Sequence, residues 1–422
     1  MYLSHVEIKN FRGIEKKEIE FKPGFNLIKG VNGKGKTSIL EAIAVGLGGY
    51  VAGLPEVSTR HFSMDEVRTK YEKSGDGSLN KTYELPIEVS LKAEINGEEY
   101  EWTRGKNSIK ASRSTIQPRT ICKIAENTVV NTKKELPIIL YLGAGRVWAS
   151  KKEKVENVFR NKYTPTVGYT DALIEELNTK LLLNWCMHME QVSWQKEQKI
   201  AEYEAAKSTV ARFMDLLEES EEHEVFYDKQ EGQMMYRKDN KVLSIEQLSA
   251  GYQSVIWIVF DIAYRMAILN PEKKEKIAET KGVVLIDEID MHLHPKWQWN
   301  VIQALRTVFI NVQFIAATHS PIMFSSAKDV WLIDIEQDEV SYEYSHYGLD
   351  VNTSLSVYQG TEKIPSNVQK RVNAFYNLLS KEKYEEAKVI LENLEEETAP
   401  SHPLLVELRT AYDLETISWE ES

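Results

Sequence analysis

The sequence predicts an α/β fold with a mixed β-sheet core, and three observations carry this prediction. Residues 25–28 are typical of a short buried strand, residues 38–44 of an apolar helix start, and a glycine-rich loop joins them. Residues 282–286 form a continuous apolar run that ends in two carboxylates, as strands buried on both faces do. Residues 86–95 alternate as a strand, and Asn96-Gly97 turns it into an antiparallel β hairpin.

The loop Gly30–Ser38 fits G-x-x-x-x-G-K-[ST], a phosphate-binding pattern, between a strand and a helix. Glycines let the backbone approach phosphate oxygens, and the amides and the helix dipole favour anions. Lys36 would reach the β- and γ-phosphates, and the Thr37 hydroxyl would bind Mg²⁺. The predicted nucleotide-binding residues in this loop are Asn32, Gly33, Lys34, Gly35, Lys36, Thr37 and Ser38.

Two carboxylates directly follow the apolar strand over residues 282–286. Ligands of parallel sheets bind beyond the carboxyl ends of the strands. We therefore expect Asp287 to hold Mg²⁺, directly or through water. Glu288 lies one residue further toward the γ-phosphate, where it would polarise the attacking water as general base.

Two further segments carry polar groups next to apolar elements. Leu248–Ser254, here called the signature segment, begins an apolar helix, so Ser249 could be an ordinary helix N-cap. The same hydroxyl, the Gly251 amide and the helix N-terminus could instead bind an anion. His319 ends the apolar strand that starts at Gln313, where a lone histidine is usually structural.

Together these motifs resemble the ABC-type ATPases of the SMC and RecF group, over about residues 1–335. The resemblance implies an ABC-type (RecF/SMC-like) P-loop ATPase head that binds ATP and Mg²⁺. It implies that His319 is a catalytic switch histidine at the γ-phosphate. Val6–Ile14 looks like the N-terminal strand of this group and implies Arg12 as a phosphate contact. The implied trans signature, which closes over the γ-phosphate of another subunit, comprises Ser249, Ala250, Gly251 and Gln253.

Within the group, Ile286–Pro295, Pro137–Arg146 and Leu349–Thr353 are similar to the PtuA-type ATPase subunits of Septu and retron defence systems. This narrower resemblance implies a slow, regulatory ATPase that dimerises or forms larger assemblies around ATP. The chain shows no nuclease pattern of its own, so a separate effector is expected, by resemblance an HNH nuclease. Retron RNA–DNA or phage DNA is a further candidate partner.

Other functions remain open at this point. The chain could be a nucleotide-gated scaffold that sequesters a toxic effector, a RecF-like DNA-repair ATPase acting directly on DNA, or a protein whose nucleotide is only structural.

The chain departs from the wider group in two places. The usual Q-loop glutamine is missing, and Leu142–Arg146 occupies its position. Arg146 could act at the phosphates or pair with an acidic residue. The D-loop aspartate is also missing, so His294 would lie at the subunit interface, although His292 and His294 could instead be metal ligands.

The predicted head spans residues 1–345, with an antiparallel β subdomain and a helical lobe inserted at about residues 150–245. Apolar spacing predicts helices over residues 170–220, followed by a hairpin over residues 225–237. Residues 346–422 would form a small C-terminal helical appendage, either packed or available to a partner.

The net charge of the 422 residues is −12, and about −8 of it lies in residues 381–422. Such acidity argues against indiscriminate nucleic-acid binding. Residues 104–125 nevertheless carry six basic and no acidic side chains, and could bind nucleic acid, bind an acidic partner, or form a solvated loop. The six basic residues are Arg104, Lys106, Lys110, Arg113, Arg119 and Lys123.

The remaining composition indicates a cytoplasmic protein that does not associate with membranes. Two cysteines are too few for a disulfide framework, and the N-terminus lacks a signal pattern. No apolar stretch comes close to the roughly 20 residues that span a bilayer.

Overall fold

A computed structural model of the chain describes residues 1–73, 78–130, 134–147, 164–220, 222–337, 339–360, 364–399 and 401–420. The described residues form two compact units, Met1–Asp350 and Val351–Ser422. The predicted domain boundary after residue 345 falls a few residues before this division.

The first unit contains all the strands and the first six helices of the described chain. Its strands are β1 (Tyr2–Phe11), β2 (Ile14–Glu20), β3 (Phe25–Lys29), β4 (Thr69–Lys73), β5 (Leu79–Tyr83), β6 (Ile87–Ile95), β7 (Glu98–Lys106), β8 (Thr115–Gln117), β9 (Ile138–Leu142), β10 (His223–Asp228), β11 (Gln233–Lys238), β12 (Lys241–Ser244), β13 (Gly282–Ile286), β14 (Val312–Ala317), β15 (Trp331–Asp334) and β16 (Ser341–Tyr344). Its helices are α1 (Lys36–Val51), α2 (Thr120–Val130), α3 (Thr179–Lys196), α4 (Ala201–Glu218), α5 (Ala250–Leu269) and α6 (Pro295–Val308).

A six-stranded mixed sheet forms the centre of this unit, in the order β16-β15-β3-β14-β13-β9. The five strands from β15 to β9 are parallel, and β16 pairs antiparallel at one edge. Every residue of β3, β9, β13 and β14 is buried, which explains why these strands are apolar runs without alternation. The mixed sheet core that the sequence predicts is therefore confirmed.

The parallel register brings several chain segments to one edge of the sheet. Ile286 at the end of β13 lies between Leu142 of β9 and Ala316 of β14, and Ala317 pairs with Ile28 of β3. The phosphate-binding loop and the residues that follow β9, β13 and β14 therefore meet at the carboxyl edge, where ligands of such sheets bind.

A second, antiparallel sheet has the order β2-β1-β6-β7-β8, which confirms the predicted antiparallel subdomain and the Asn96-Gly97 hairpin. Helix α1 is buried along almost its whole length and packs against strands of both sheets. Trp102 Nε1 donates to the Gly46 carbonyl at 2.9 Å, and Arg104 Nη1 donates to the Val45 carbonyl at 2.8 Å. Side chains of β7 thus hold the helix that carries the phosphate-binding loop.

The same contacts correct the interpretation of the basic run. Arg104 is 0% exposed, and burial lowers its pKa to about 10, while Lys106 is also buried. Both belong to the fold rather than to a solvated surface. The members of the run that do lie on the surface are Lys110, Arg113, Arg119 and Lys123.

Helix α5 is the core helix of this unit, and a buried ion pair joins Asp261 to Arg265 within it at 2.9 Å. By length and composition alone, α5 could cross a membrane, but 83% of its 18-residue apolar segment is buried inside the fold. The prediction that no apolar stretch approaches this length meets one exception in α5, whose mostly apolar side chains suit a core position and are interrupted by Asp261 and Arg265.

The lobe between β9 and α5 is less helical than predicted. Helix α3 begins only at Thr179, because the side chain of Asn178 accepts a hydrogen bond from the Leu181 amide and caps the helix. Residues 170–178 form turns, bends and irregular chain, so the helix prediction was wrong there. The predicted hairpin is confirmed as β10 and β11, and β12 adds a third strand.

The second unit is helical, as predicted. Its helices are α7 (Val351–Gln359), α8 (Ser366–Leu379), α9 (Tyr384–Glu397) and α10 (Pro403–Glu420). The last three bury one apolar cluster, which includes Phe375 and Leu408, both 0% exposed.

Candidate functional site

The phosphate-binding loop runs from the end of β3 to the start of α1, and its backbone requires glycine. Gly33 and Gly35 have φ of 83° and 93°, in the left-handed region that residues with a Cβ rarely adopt. Gly35 is also the N-cap of α1, and no side chain caps the helix from that position. The first amides of α1 can therefore donate hydrogen bonds to a bound anion.

Lys36 folds back over its own loop. Its Nζ donates to the Gly30 carbonyl at 2.7 Å and lies 3.2 Å from His319 Nδ1. Burial lowers the Lys36 pKa, and the carboxylates of Asp287 and Glu288 act in the opposite direction. A buried cation is thus held between the phosphate-binding loop and the ends of β13 and β14.

Thr37 and Asp287 form the site that best suits a divalent cation. The Thr37 hydroxyl donates to Asp287 Oδ2 at 2.7 Å, and Asp287 is only 1% exposed. Asp287 Oδ1 accepts from the Glu288 amide at 3.1 Å. A hydroxyl and a carboxylate oxygen beside a phosphate-binding loop are donors that Mg²⁺ takes in nucleotide sites. The residues therefore fit the predicted metal.

Glu288 lies at a sharp turn of the backbone. It has φ of 43°, although it carries a Cβ, and its side chain is half-buried. Strain of this kind persists where the surroundings hold it, and it concentrates at functional sites. The turn directs the chain away from β13 immediately after Asp287.

His319 follows β14. Its Nδ1 lies 3.2 Å from Lys36 Nζ, which in turn contacts the phosphate-binding loop. Burial lowers the pKa of His319, and the nearby Lys36 charge lowers it further. The imidazole is therefore neutral near pH 7, with Nδ1 able to accept the hydrogen bond from Lys36. The structure thus brings together five predicted site residues: Lys36, Thr37, Asp287, Glu288 and His319.

Sequence reasoning gave no role to four polar residues around His319. Asp290 accepts a hydrogen bond from Thr318 Oγ1, and Gln298 accepts from Ser320 Oγ at 2.6 Å. Asp290 and Thr318 lie inside the motifs and could have been singled out there. Gln298 lies in the first turn of α6, and nothing in its local sequence marks it.

Arg12 has a protein partner in this structure. Its guanidinium forms a two-point ion pair with Glu41 of α1, at 2.7 and 2.8 Å. Burial raises the Glu41 pKa, and the charges of Arg12 and Arg60 oppose that shift. Arg12 therefore holds α1 through Glu41 in this structure. Its predicted role stays a prediction.

The signature segment begins α5, and its side chains are partly used within the chain. Ser249 is exposed at the N-cap position, but its side chain makes no capping hydrogen bond. Gln253 Nε2 donates to the carbonyls of Glu246 and Leu248 at 2.8 and 2.7 Å. A Cβ at Gly251 would lie 2.6 Å from the His292 carbonyl oxygen, so the backbones approach too closely for another residue.

The residues at which the chain departs from the wider group make structural contacts of their own. His294 is the N-cap of α6, and its Nδ1 accepts from the Lys296 amide at 3.2 Å. Within the part of the chain that the structure describes, no group of three or more His, Cys, Asp or Glu could hold a metal ion. At the missing Q-loop, Glu175 Oε1 accepts from the Gly145 amide at 3.1 Å. The Arg146 side chain lies outside the described residues.

A cleft of about 520 Å³ opens beside the phosphate-binding loop. Its walls come from the turn into β2, from the loop itself and from the residues after β15. The lining residues are Gly13, Ile14, Glu15, Lys16, Lys17, Gly33, Lys34, Gly35, Ser38, Ile335, Glu336 and Gln337. The predicted loop residues Gly33, Lys34, Gly35 and Ser38 thus face a space next to Lys36 and Thr37.

Comparison with known proteins assigns the chain to a family. The family described as AAA domain matches residues 5–281. A retron Ec83 probable ATPase of Escherichia coli is 33% identical over 189 residues, which cover 44% of this chain and 34% of the relative. A Septu protein PtuA of Bacillus thuringiensis is 23% identical over 97% of this chain and 98% of the relative.

These matches differ in how much of each relative the chain covers. The chain spans 34%, 25% and 48% of the length of the first three curated relatives it matches. Among solved structures, an SMC head bound to the C-winged helix domain of ScpA covers 85% of this chain, with 17% identity and a TM-score of 0.49. The family match and the named relatives confirm the predicted resemblance to an ATPase close to PtuA.

Proposed function

The chain belongs to the AAA domain family, and from this premise we propose that it is an ATP-binding and ATP-hydrolysing subunit of a prokaryotic antiphage defence complex. One observation carries the enzymatic part. Lys36, Thr37, Asp287, Glu288 and His319 converge at the carboxyl edge of the parallel sheet, beside helix amides that no N-cap side chain covers.

The residues suggest a division of labour in hydrolysis. The amides at the start of α1 and the Lys36 ammonium bind the phosphates, and Lys36 exchanges the Gly30 carbonyl for a phosphate oxygen. Thr37 and Asp287 hold Mg²⁺, which when bound neutralises charge on the phosphates. Glu288 accepts a proton from the attacking water, and His319 contacts the γ-phosphate. No covalent intermediate is needed, because water is the nucleophile.

The signature segment supports the second part of the proposal, that ATP joins two copies of this chain. Ser249 is exposed at the N-terminus of a 20-residue helix and does not cap it, so its hydroxyl and the first amides are available to an anion. We assign that anion as the γ-phosphate bound by a second copy. Hydrolysis removes the group that both copies contact, and the copies separate.

The defence role comes from the relatives. Septu and retron proteins are named among them, and the chain aligns with nearly the whole of one Septu protein. We propose that the ATP-dependent dimer holds a separate effector, an HNH nuclease, inactive until infection, and that hydrolysis is slow and regulatory. Retron RNA–DNA or phage DNA is the proposed nucleic-acid partner, and the cytoplasm the proposed location.

Two substitutions test the enzymatic proposal. Lys36→Ala removes the loop cation, so ATP binding should weaken by at least about tenfold, because charge-assisted hydrogen bonds are lost. Glu288→Gln keeps the shape but removes the base, so ATP binding should persist while turnover falls by about 10² to 10⁴. Equilibrium binding of a fluorescent ATP analogue and phosphate release measure the two effects separately.

Lys199→Ala is a suitable control, because this lysine side chain is 85% exposed and lies in the lobe. It should leave binding and turnover unchanged. If Glu288→Gln loses ATP binding instead, the general base is misassigned. Wild-type protein that binds ATP without ever releasing phosphate would leave only a structural nucleotide and would overturn the enzymatic proposal.

The alternative function, a RecF-like ATPase acting directly on DNA, has narrower support. One RecF protein, of Salmonella typhi, is 56% identical over 43 residues, 10% of this chain, and another, of Lactobacillus johnsonii, is 33% identical over 98 residues, 23% of this chain. Neighbouring genes distinguish the two: an adjacent nuclease gene supports defence, and recombination genes support repair.

A further inference from the structure

Both residues that flank His319 are tied to the loop that follows β13. The Thr318 hydroxyl donates to Asp290 Oδ1 and accepts from the Ser320 amide at 2.9 Å. Thr318 is 0% exposed, so water does not compete for these bonds. One buried hydroxyl therefore links the two residues on either side of His319 to a carboxylate of the neighbouring loop.

A second chain of hydrogen bonds holds the other flank. Ser320 Oγ donates to Gln298 Oε1 at 2.6 Å, and Gln298 Nε2 donates to the Leu293 carbonyl at 3.0 Å. Gln298 lies in the first turn of α6, which follows the same loop. His319 thus sits between two anchors that both lead to residues 290–293.

The anchored loop is the one that begins with Glu288. The Ile289 amide also donates to the Ala317 carbonyl at 3.1 Å, so the ends of β13 and β14 are joined beyond the regular sheet. A shift of either strand end therefore moves both Glu288 and His319. Reacting groups tolerate little displacement, since a misplacement of about 1 Å can cost about a hundredfold in rate.

We propose that Thr318, Asp290 and Gln298 are positioning residues that fix the His319 imidazole relative to Glu288 and Lys36. The inference rests on the proposed ATP hydrolysis and extends it to residues other than those proposed to bind the nucleotide. The Thr318 hydroxyl is the critical group, because it bonds both to Asp290, in the loop after β13, and to Ser320, on the other side of His319.

Thr318→Val tests this directly, because valine fills the same volume without the hydroxyl. We expect turnover to fall by between about tenfold and a hundredfold while the Kd for MgATP changes less than about twofold. Thr318→Ser, which keeps the hydroxyl, should retain most of the turnover. In a His319→Ala background, Thr318→Val should have almost no further effect, because it acts through the imidazole.

Thr209→Val is the matched control. Thr209 is a buried threonine on α4 whose hydroxyl donates to the Ala205 carbonyl at 2.6 Å, remote in sequence from the site. It should leave turnover unchanged. Equal losses from Thr318→Val in the presence and absence of the His319 side chain would overturn the proposal, as would a parallel loss of ATP affinity.

A readout independent of turnover separates this inference from the proposed function. Nitrogen NMR of labelled histidines reports the position and tautomer of His319 without nucleotide. Thr318→Val should move the His319 signals, and Thr209→Val should not. Unmoved signals refute the positioning role. If wild-type protein fails to hydrolyse ATP, the proposed function fails, and these signals still decide whether the hydroxyl positions His319.

Discussion

The contact between Lys36 and His319 decides how the site behaves before nucleotide binds. The two nitrogen atoms lie 3.2 Å apart, close enough for one hydrogen bond but too close for two cations. Because burial and the Lys36 charge lower the His319 pKa below 6.5, the imidazole is neutral near pH 7 and can accept this hydrogen bond. Lys36 is thereby held over its own loop, between the Gly30 carbonyl and His319.

The charge arrangement predicts the titration of His319. Burial and the Lys36 charge both lower its pKa, so its NMR midpoint should lie below the ordinary value of 6.5. As pH falls through that midpoint, the imidazolium forms and the hydrogen bond from Lys36 is lost. In Lys36→Met, which keeps the bulk without the charge, the midpoint should rise toward 6.5 because a nearby cation no longer opposes protonation.

A pH titration of the labelled histidine ring in both proteins checks this prediction. A His319 midpoint above 6.5 in the wild-type protein, or one that falls in Lys36→Met, would contradict the arrangement described here.

Between elements, the start of α5 and the loop before α6 are packed backbone to backbone. Gly251 faces the His292 carbonyl, and the Tyr252 ring meets the Trp297 ring edge-on with 4.6 Å between centroids. The signature segment therefore rests on the same loop that begins with Glu288. A displacement of one of these segments therefore displaces the other.

Gly251→Ala tests how tight this contact is. The new Cβ would lie 2.6 Å from the His292 carbonyl oxygen, so one backbone must shift, at a cost of about 1–3 kcal/mol in the free energy of unfolding. Helix propensity alone would favour alanine by about 1 kcal/mol. The sign of the change in the free energy of unfolding, measured by chemical denaturation, therefore distinguishes the two effects.

Gly13→Ala is the control for this substitution, because a Cβ there meets nothing within 4 Å. Its free energy of unfolding should stay within about 0.5 kcal/mol of the wild-type value. If Gly251→Ala stabilises the protein, the close packing between the signature segment and the loop before α6 does not exist in solution.

Local patterns predicted the elements that carry the site. The strands β3, β13 and β14 are fully buried, so their apolar runs were visible without knowledge of their neighbours. The start of α3 was not predictable in the same way. Leu173 and Leu177 have helical spacing and are buried, yet they lie outside the helix, because Asn178 caps its N-terminus after them.

Contacts distant in sequence account for the parts of the site that sequence reasoning missed. Arg104 looked like a member of a basic surface, but it bonds to the Val45 and Arg60 carbonyls across the first unit. Arg12 meets Glu41, and Gln298 meets Ser320, through folding alone. A motif shows which chemistry is present, whereas the partner of each charged group depends on the tertiary fold.

For the whole molecule, charge is divided between the two units. Residues 381–422 carry about −8 of the total −12, and they belong to the helical second unit. The exposed cations Lys110, Arg113, Arg119 and Lys123 lie on the first unit. A nucleic-acid partner would therefore be expected on the first unit, where phosphate neutralisation is available.

The assembly proposed for the whole molecule depends on the γ-phosphate being shared by two copies. Mass measurement by light scattering after gel filtration tests this most directly, using Glu288→Gln so that bound ATP is not consumed. With MgATP the mass should be at least twice that measured with MgADP, and Ser249→Arg in the same background should abolish the increase without loss of ATP binding. Equal masses with MgATP and MgADP, with nucleotide shown to be bound, would contradict the account.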